Sequence, residues 1–258
     1  MRYVVMYLEK PTKKPYSPNA VPDAKALLNT LQPCDILLIE GDLRYSEVIK
    51  YATQSTWSHC ALYIGNPPDN MGYDSTKKYI IEVLLSSGTV LSPISDYYGF
   101  NSRIMRPVGL SDDDKKQVIQ YCLNKLGHRY DMLNVINLLK HHVPFAKLFF
   151  GKLPHDGIFA AQNSERVICS SLIAQAFEYI NYPILPDTEK MKKRAAVRDG
   201  ALPKDALITE YNILKKRHYS LFSPRDFDVS PFFNVVKPTI ESGFDYKNIK
   251  YHNENDEY

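Results

Sequence analysis

Trp57-Ser58-His59-Cys60-Ala61-Leu62-Tyr63-Ile64-Gly65, running into Asn66-Pro67-Pro68, is the stretch whose reading decides the fold. Its apolar run ends at a Gly-Asn-Pro-Pro turn signal, so 59–64 reads as a strand. The same grammar recurs on both sides. Asp35-Ile36-Leu37-Leu38-Ile39, closed by Glu40-Gly41-Asp42, reads as a buried strand. Tyr79 to Leu85 reads as the next, and Ser86-Ser87-Gly88 turns the chain into Thr89-Val90-Leu91-Ser92. Arg103 to Pro107 adds a fifth. Short strands joined by short turns predict an antiparallel meander.

Helices flank these strands. Asp23 to Leu31, with Pro22 at its start, and Ser46 to Gln54 read as short helices. Ser111-Asp112-Asp113-Asp114 opens another with a capping-box pattern. Val118, Cys122 and Leu126 form its apolar stripe, and Gly127 fits its stop. Met132 to His142 reads as helical. So does Cys169 to Ile180, with Leu172, Ile173, Ala176 and Phe177 on one face and Tyr182-Pro183 ending it. Residues 1–22 suggest a short strand and a Pro-rich surface segment. Pro224 to Pro238 reads as extended, and the tail from Glu241 is polar. The domain reading is an N-terminal extension over 1–29, one domain over 30–240, and a tail over 241–258.

Composition narrows the function classes. Of 258 residues, 44% are hydrophobic and 24% charged, an ordinary globular balance. The 32 Lys and Arg nearly cancel the 29 Asp and Glu, so nothing suggests a nucleic acid partner. The apolar run at 3–8 is too short for a secretory core, and no stretch reaches the roughly 20 apolar residues of a membrane span. The expectation is a cytoplasmic protein without a transmembrane segment. Cys34, Cys60, Cys122 and Cys169 show no paired spacing and read as free thiols.

Three residues carry the chemistry. Cys169 opens a helix, where first-turn N–H groups and the positive end of the helix dipole favour a thiolate. The same N–H groups suit the oxyanion formed when a thiolate attacks a carbonyl. His59 opens a strand and supplies the base such a thiol needs. Glu82 sits between Ile81 and Val83 in an apolar strand, and a buried carboxylate requires a partner. Directly opposed across a strand pair, it would orient the imidazole. Zinc is the competing reading for His59, Cys60 and Cys169. The usual ligand spacings are missing, and neighbouring strand residues face opposite ways. Cys60 and Cys122 read as core residues.

These residues, in this order, resemble the permuted papain-like amidases of the YaeF/YiiX type, within the NlpC/P60 superfamily of cysteine hydrolases. The matching stretches are Pro33-Cys34-Asp35-Ile36-Leu37, Trp57 to Gly65, Ile81-Glu82-Val83 with Gly88-Thr89-Val90, and Val167-Ile168-Cys169-Ser170-Ser171-Leu172-Ile173. In that family the His and its polar partner precede the Cys. The resemblance implies an α+β, circularly permuted papain-like fold, a small antiparallel sheet or open barrel packed against helices. It implies Cys169 as nucleophile, His59 as base and Glu82 as orienter. Tyr130, in Gly127-His128-Arg129-Tyr130-Asp131, resembles a family tyrosine that lines the pocket, and Ser170 and Trp57 join it as substrate-binding positions. One departure is Cys34, where the family usually has Gly; it sits at a turn before a strand and brings a second thiol near the site in sequence terms.

The function this implies is hydrolysis of an amide bond, peptide or N-acyl, through an acyl-enzyme on Cys169. No metal or organic cofactor is implied. A second reading is lipid-directed acyl transfer or deacylation, with the apolar, lysine-interleaved segment 135–153 touching lipid or covering an acyl pocket. A third is a catalytically silent binding module. The basic run Lys190 to Arg198 suits a solvated face, anionic headgroups or an acidic partner.

Overall fold

A computed structural model describes residues 9–12, 22–130, 166–185, 217–243, 245 and 247. In chain order its elements are α1 (Ala24–Thr30), β1 (Ile36–Ile39), α2 (Arg44–Thr53), β2 (His59–Gly65), β3 (Tyr79–Leu84), β4 (Gly88–Pro93) and β5 (Ser102–Pro107). There follow α3 (Asp112–Leu123), β6 (Arg129–Tyr130), β7 (Arg166–Val167), α4 (Cys169–Tyr179), α5 (Pro224–Asp228), β8 (Phe233–Val236) and α6 (Pro238–Glu241). The strand expected within 1–22, the helix at 132–142, the segment 135–153, the basic run 190–198 and most of the tail lie outside the described residues.

Six strands form one antiparallel open sheet in the order β4-β3-β2-β1-β5-β8, and β6 and β7 make a separate parallel pair. The expected meander holds from β1 through β4. It breaks at β5, which returns past the meander to pair with β1 instead of β4. All four residues of β1 are buried, because a strand at the centre is covered on both faces.

One face of the sheet presents Leu38, Cys60, Leu62, Ile81 and Met105 to Val118 and Cys122 of α3 and to Leu172 and Phe177 of α4. The other presents Leu37, Ile39, Ala61, Tyr63 and Ile104 to Leu27 of α1. Leu27 is 1% exposed, so α1, which straddles the 29/30 boundary, packs on the sheet. Period-2 alternation along each strand sorts the side chains this way.

Local chemistry sets the ends of the elements. Ser111 caps α3 as its spacing predicts: its hydroxyl accepts the Asp114 N–H at 3.1 Å, and Asp114 accepts the Ser111 N–H at 3.3 Å. Asp23 caps α1 by accepting the Ala26 N–H at 2.9 Å. Helix α3 stops at Leu123, short of the expected Gly127, which lies in the following turn at φ 80°. Leu126 therefore packs from that turn, off the helical stripe.

The expectation of an extended 224–238 holds only for β8. Pro224 sits at the first position of α5, where its fixed φ and missing N–H cost nothing, and Pro238 does the same for α6. Ser223 and Asp226 complete the α5 cap.

Gly88 closes the β3–β4 turn at φ 71°, and a Cβ there would stand 2.1 Å from the His128 carbonyl oxygen. No side chain fits that approach. No helix among the described residues is long and apolar enough to cross a membrane.

Candidate active site

Cys169 is the first residue of α4. The chain enters through extended Ile168 (φ −111°, ψ 163°), and the Ser171 hydroxyl accepts the Ile168 N–H at 3.1 Å. This bond fixes the sharp entry, and the first-turn N–H groups that follow have no acceptor within the helix. Helix α4 packs across β2 and β3.

His59 begins β2, and its Nε2 lies 2.6 Å from Glu82 Oε2. Both are buried, His59 to 6% exposure and Glu82 to 2%. They share a face, but the direct opposition expected from the sequence does not hold. Leu62 pairs with Ile81, and one step further along that register Glu82 stands level with Ala61. The contact is diagonal, at a separation long side chains bridge.

Two more groups hold Glu82. Tyr97 donates its hydroxyl hydrogen to the same Oε2, and the Ser92 side chain also bonds the carboxylate. The Tyr97 ring lies over His59 with centroids 6.2 Å apart and planes 25° apart. With Nε2 engaged by Glu82, Nδ1 is the remaining ring nitrogen, and Cys169 and Glu82 both favour the charged imidazole.

The charges reinforce one another. The Cys60 thiol, by hydrogen bonding, does most to hold Cys169 well below the ordinary thiol range. Burial opposes this, while the His59 imidazole and the Cys60 backbone N–H add to it. The β2–β3 ladder begins at Leu62, which leaves the Cys60 amide outside it and able to donate to sulfur. Burial alone would lower His59, but Cys169 and Glu82 raise it to about 10. Burial likewise pushes Glu82 up, and His59, Ser92 and Tyr97 pull it below its usual value. These influences favour the thiolate form of Cys169 and the charged form of His59, beside the Glu82 carboxylate. Tyr45 lies close enough to feel Cys169 and Glu82; burial first, and those charges second, keep its phenol protonated.

The three residues singled out for chemistry thus come together. The Ser170 hydroxyl donates to the Phe222 carbonyl at 2.7 Å and is 1% exposed. Trp57 is buried in the core, with the Arg103 guanidinium 5.0 Å from its ring centroid. The Tyr130 backbone pairs with Val167, two residues before Cys169. Cys34 is remote from the site. It sits beyond the other end of β2, its N–H donating to the Tyr63 carbonyl at 2.8 Å, with φ at 77°. A left-handed backbone explains why glycine suits that position.

The second thiol at the site is Cys60, which the sequence offers only as core. Strand alternation sends His59 and Cys60 to opposite faces, but they are the first two residues of β2, and Cys169 interacts with both. Nothing in the sequence marks Tyr97, Ser92 or Tyr45, whose roles depend on turns and register. Among the described residues, no group of three or more His, Cys, Asp or Glu is placed to hold a metal ion.

Fold and site together define a mixed α/β protein whose antiparallel open sheet carries a buried Cys–His–Glu arrangement against a helix N-terminus. No family model matches the chain, and no curated protein matches it. Among solved structures it is similar to the metalloprotein YiiX from Escherichia coli O157:H7, DUF1105, at 16% identity. That match covers 80% of this chain and 96% of the other, with a TM-score of 0.47. A likeness of this size says nothing about what this chain binds or catalyses.

Proposed function

We propose that this chain is a cysteine hydrolase that cleaves an amide bond, peptide or N-acyl, through an acyl-enzyme on Cys169, in a circularly permuted papain-like fold. The observation that carries the reading is the placement of His59: one ring nitrogen on the buried Glu82 carboxylate at 2.6 Å, with Cys169, at the start of a helix, among the groups that raise the pKa of the imidazole. Structural histidines do not need a thiol there.

In this mechanism the Cys169 thiolate attacks the acyl carbon. The carbonyl oxygen becomes an oxyanion beside the first-turn N–H groups of α4 and the Cys60 amide. His59 gives its proton to the leaving nitrogen, the C–N bond breaks, and a thioester remains on Cys169. His59 then takes a proton from water, whose oxygen attacks the thioester and frees the acid. Glu82 holds the ring in register and stabilises its charged form.

The test is acyl-enzyme capture. The full chain is mixed with a panel of N-acyl and peptidyl nitroanilides and with acyl-chain thioesters, quenched in acid and mapped by mass spectrometry. An acyl mass on Cys169, absent in His59→Ala, supports the reading, and the substrate that loads it names the class. If only long acyl chains load, lipid-directed acyl transfer or deacylation replaces amide hydrolysis. If iodoacetamide labels Cys169 no faster than Cys34 or Cys122 at neutral pH, the chain is a silent binding module and the reading is wrong.

A further inference from the structure

The family resemblance makes Ser170 a substrate-binding position, yet its hydroxyl is spent inside the core. It is 1% exposed and bonds the Phe222 carbonyl across 52 residues of chain. We propose that Ser170 is a positioning residue: its hydroxyl anchors the first turn of α4 to the segment 217–226, and so holds the N–H groups of that turn where the acyl oxyanion forms. The proposal rests on the hydrolase reading and adds to it the part of the chain that keeps the oxyanion donors in place.

An anchor is needed because the usual one is missing. Most helices begin on a Ser, Thr, Asp or Asn whose oxygen holds the first-turn N–H groups. Here the residue before α4 is Ile168, which has no side-chain oxygen. That leaves the donors to an incoming oxyanion, but an uncapped first turn frays. The two serines after Cys169 divide the work of holding it. Ser171 turns back on Ile168, accepting its N–H at 3.1 Å and donating to its carbonyl at 3.3 Å. Ser170 reaches out of the helix to a distant part of the chain. Its own N–H belongs to that first turn, one residue after the sulfur, so the anchored residue also carries a donor.

The segment that receives the bond is itself tied down. Arg217 donates to the Leu221 carbonyl at 2.7 Å and to Asp226 at 2.9 Å, and its guanidinium lies 5.2 Å from the Phe222 ring centroid. Asp226 accepts the Ser223 N–H at 2.6 Å and the Ser223 hydroxyl at 2.8 Å. These bonds flank Phe222 on both sides, so its carbonyl is a fixed acceptor. Phe222 and Cys169 also share a core cluster. A substrate contact by the Ser170 hydroxyl would break the bond and leave a buried carbonyl unpaired, which is costly.

The test compares two reactions of one sulfur. Iodoacetamide alkylates the thiolate without forming an oxyanion. With p-nitrophenyl acetate the thiolate adds to the ester carbon, an oxyanion forms, and nitrophenolate leaves a thioester on Cys169. The full chain, Ser170→Ala and Arg217→Lys are timed with each reagent, the Cys169 adducts are read by mass spectrometry, and folding is checked by circular dichroism. Ser170→Ala should slow acylation about tenfold and leave alkylation within about twofold of the native rate. Arg217→Lys keeps a charge for Asp226 but cannot also reach Leu221, and should slow acylation alone by about threefold. It carries the test if Ser170→Ala does not fold. Equal slowing of both reactions would give the hydroxyl a merely structural role, and native acylation in either folded variant would remove the anchor. Each of these overturns the inference while the hydrolase reading stands. If Cys169 of the native chain is not acylated at all, the hydrolase reading fails and the inference with it.

Discussion

Two carboxylates lie buried on this sheet, and they are held in opposite ways. Asp35, before β1, is 1% exposed and meets Arg106 through two bonds, at 2.9 Å to Oδ1 and 2.7 Å to Oδ2. It also accepts the Gln32 N–H at 2.8 Å, while Arg106 bonds the Thr30 carbonyl at the end of α1. Burial pushes its pKa up more than these partners pull it down. Glu82 is equally buried, but His59, Ser92 and Tyr97 outweigh burial and hold it low. Arginine cannot give up its proton, and Arg106 ties its carboxylate to a helix end. Histidine can, and Cys169 is among the groups that raise the pKa of His59. Burial and pairing alone do not mark a site. A partner that can lose its proton next to a nucleophile does.

Substitutions break this contrast unequally. The largest effect belongs to the chemical end: Cys169→Ala or His59→Ala should lower turnover by roughly a thousandfold or more, with urea unfolding little changed in Cys169→Ala, whereas His59→Ala also strands the buried Glu82 and should lose some stability. Retained turnover in either variant would leave the mechanism without its central atoms.

At the structural end, Asp35→Ala strands the Arg106 charge and should destabilise the fold by about 3 kcal/mol in urea titration. It should leave iodoacetamide labelling of Cys169 unchanged. A parallel loss of labelling would mean that the two carboxylates are one unit.

Glu82→Gln sharpens the comparison by removing only charge, and should slow turnover about 10- to 100-fold. It also tests the pH profile. A thiolate exists above its own pKa, so labelling of the native chain should stay level through neutral pH and fall only in acid, as the depressed Cys169 titrates. The pair should persist upward until His59 loses its proton near 10. In His59→Ala the labelling rate should instead climb with pH through the ordinary thiol range, near about 8.5. A native profile that climbs the same way would contradict the ion pair.

Smaller still, Tyr97→Phe removes one bond to Glu82 but keeps the ring over His59, and should cost about three- to tenfold in turnover. Stopped assays at several pH values should show the alkaline limb moving down, because a less anchored Glu82 supports the imidazolium less. Smallest of all is Cys34→Gly, beside Asp35. Relief of a left-handed φ offsets the lost side-chain packing, and the net change should stay within about 1 kcal/mol. Urea denaturation measures it.

Much of this was legible along the chain. The strands at 36–39, 59–65 and 79–84, the capped start of α3, and the apolar face of α4 follow from period and capping chemistry, which act within a few residues. His59, Glu82 and Cys169 stood out because each has an odd place: a base at a strand start, a charge in an apolar run, a thiol at a helix start. The return of β5 to β1 was not legible, since local turn signals do not say which neighbour a strand will choose. The diagonal reach from His59 to Glu82 depends on register, which a bulge near Gly65 helps to set. Tyr97 comes from a 3-10 turn over Ile94–Tyr97 that carries no spacing signal.

By itself, then, the chain determined its elements, its buried faces and three candidate site residues, because side-chain period and backbone capping are short-range properties. Only tertiary structure decided that Cys34 lies beyond the other end of β2 from His59, and that one buried carboxylate braces a histidine while the other braces an arginine. Those outcomes depend on how strands order and how a helix end lands on a sheet, and such long-range contacts have no signature in neighbouring residues.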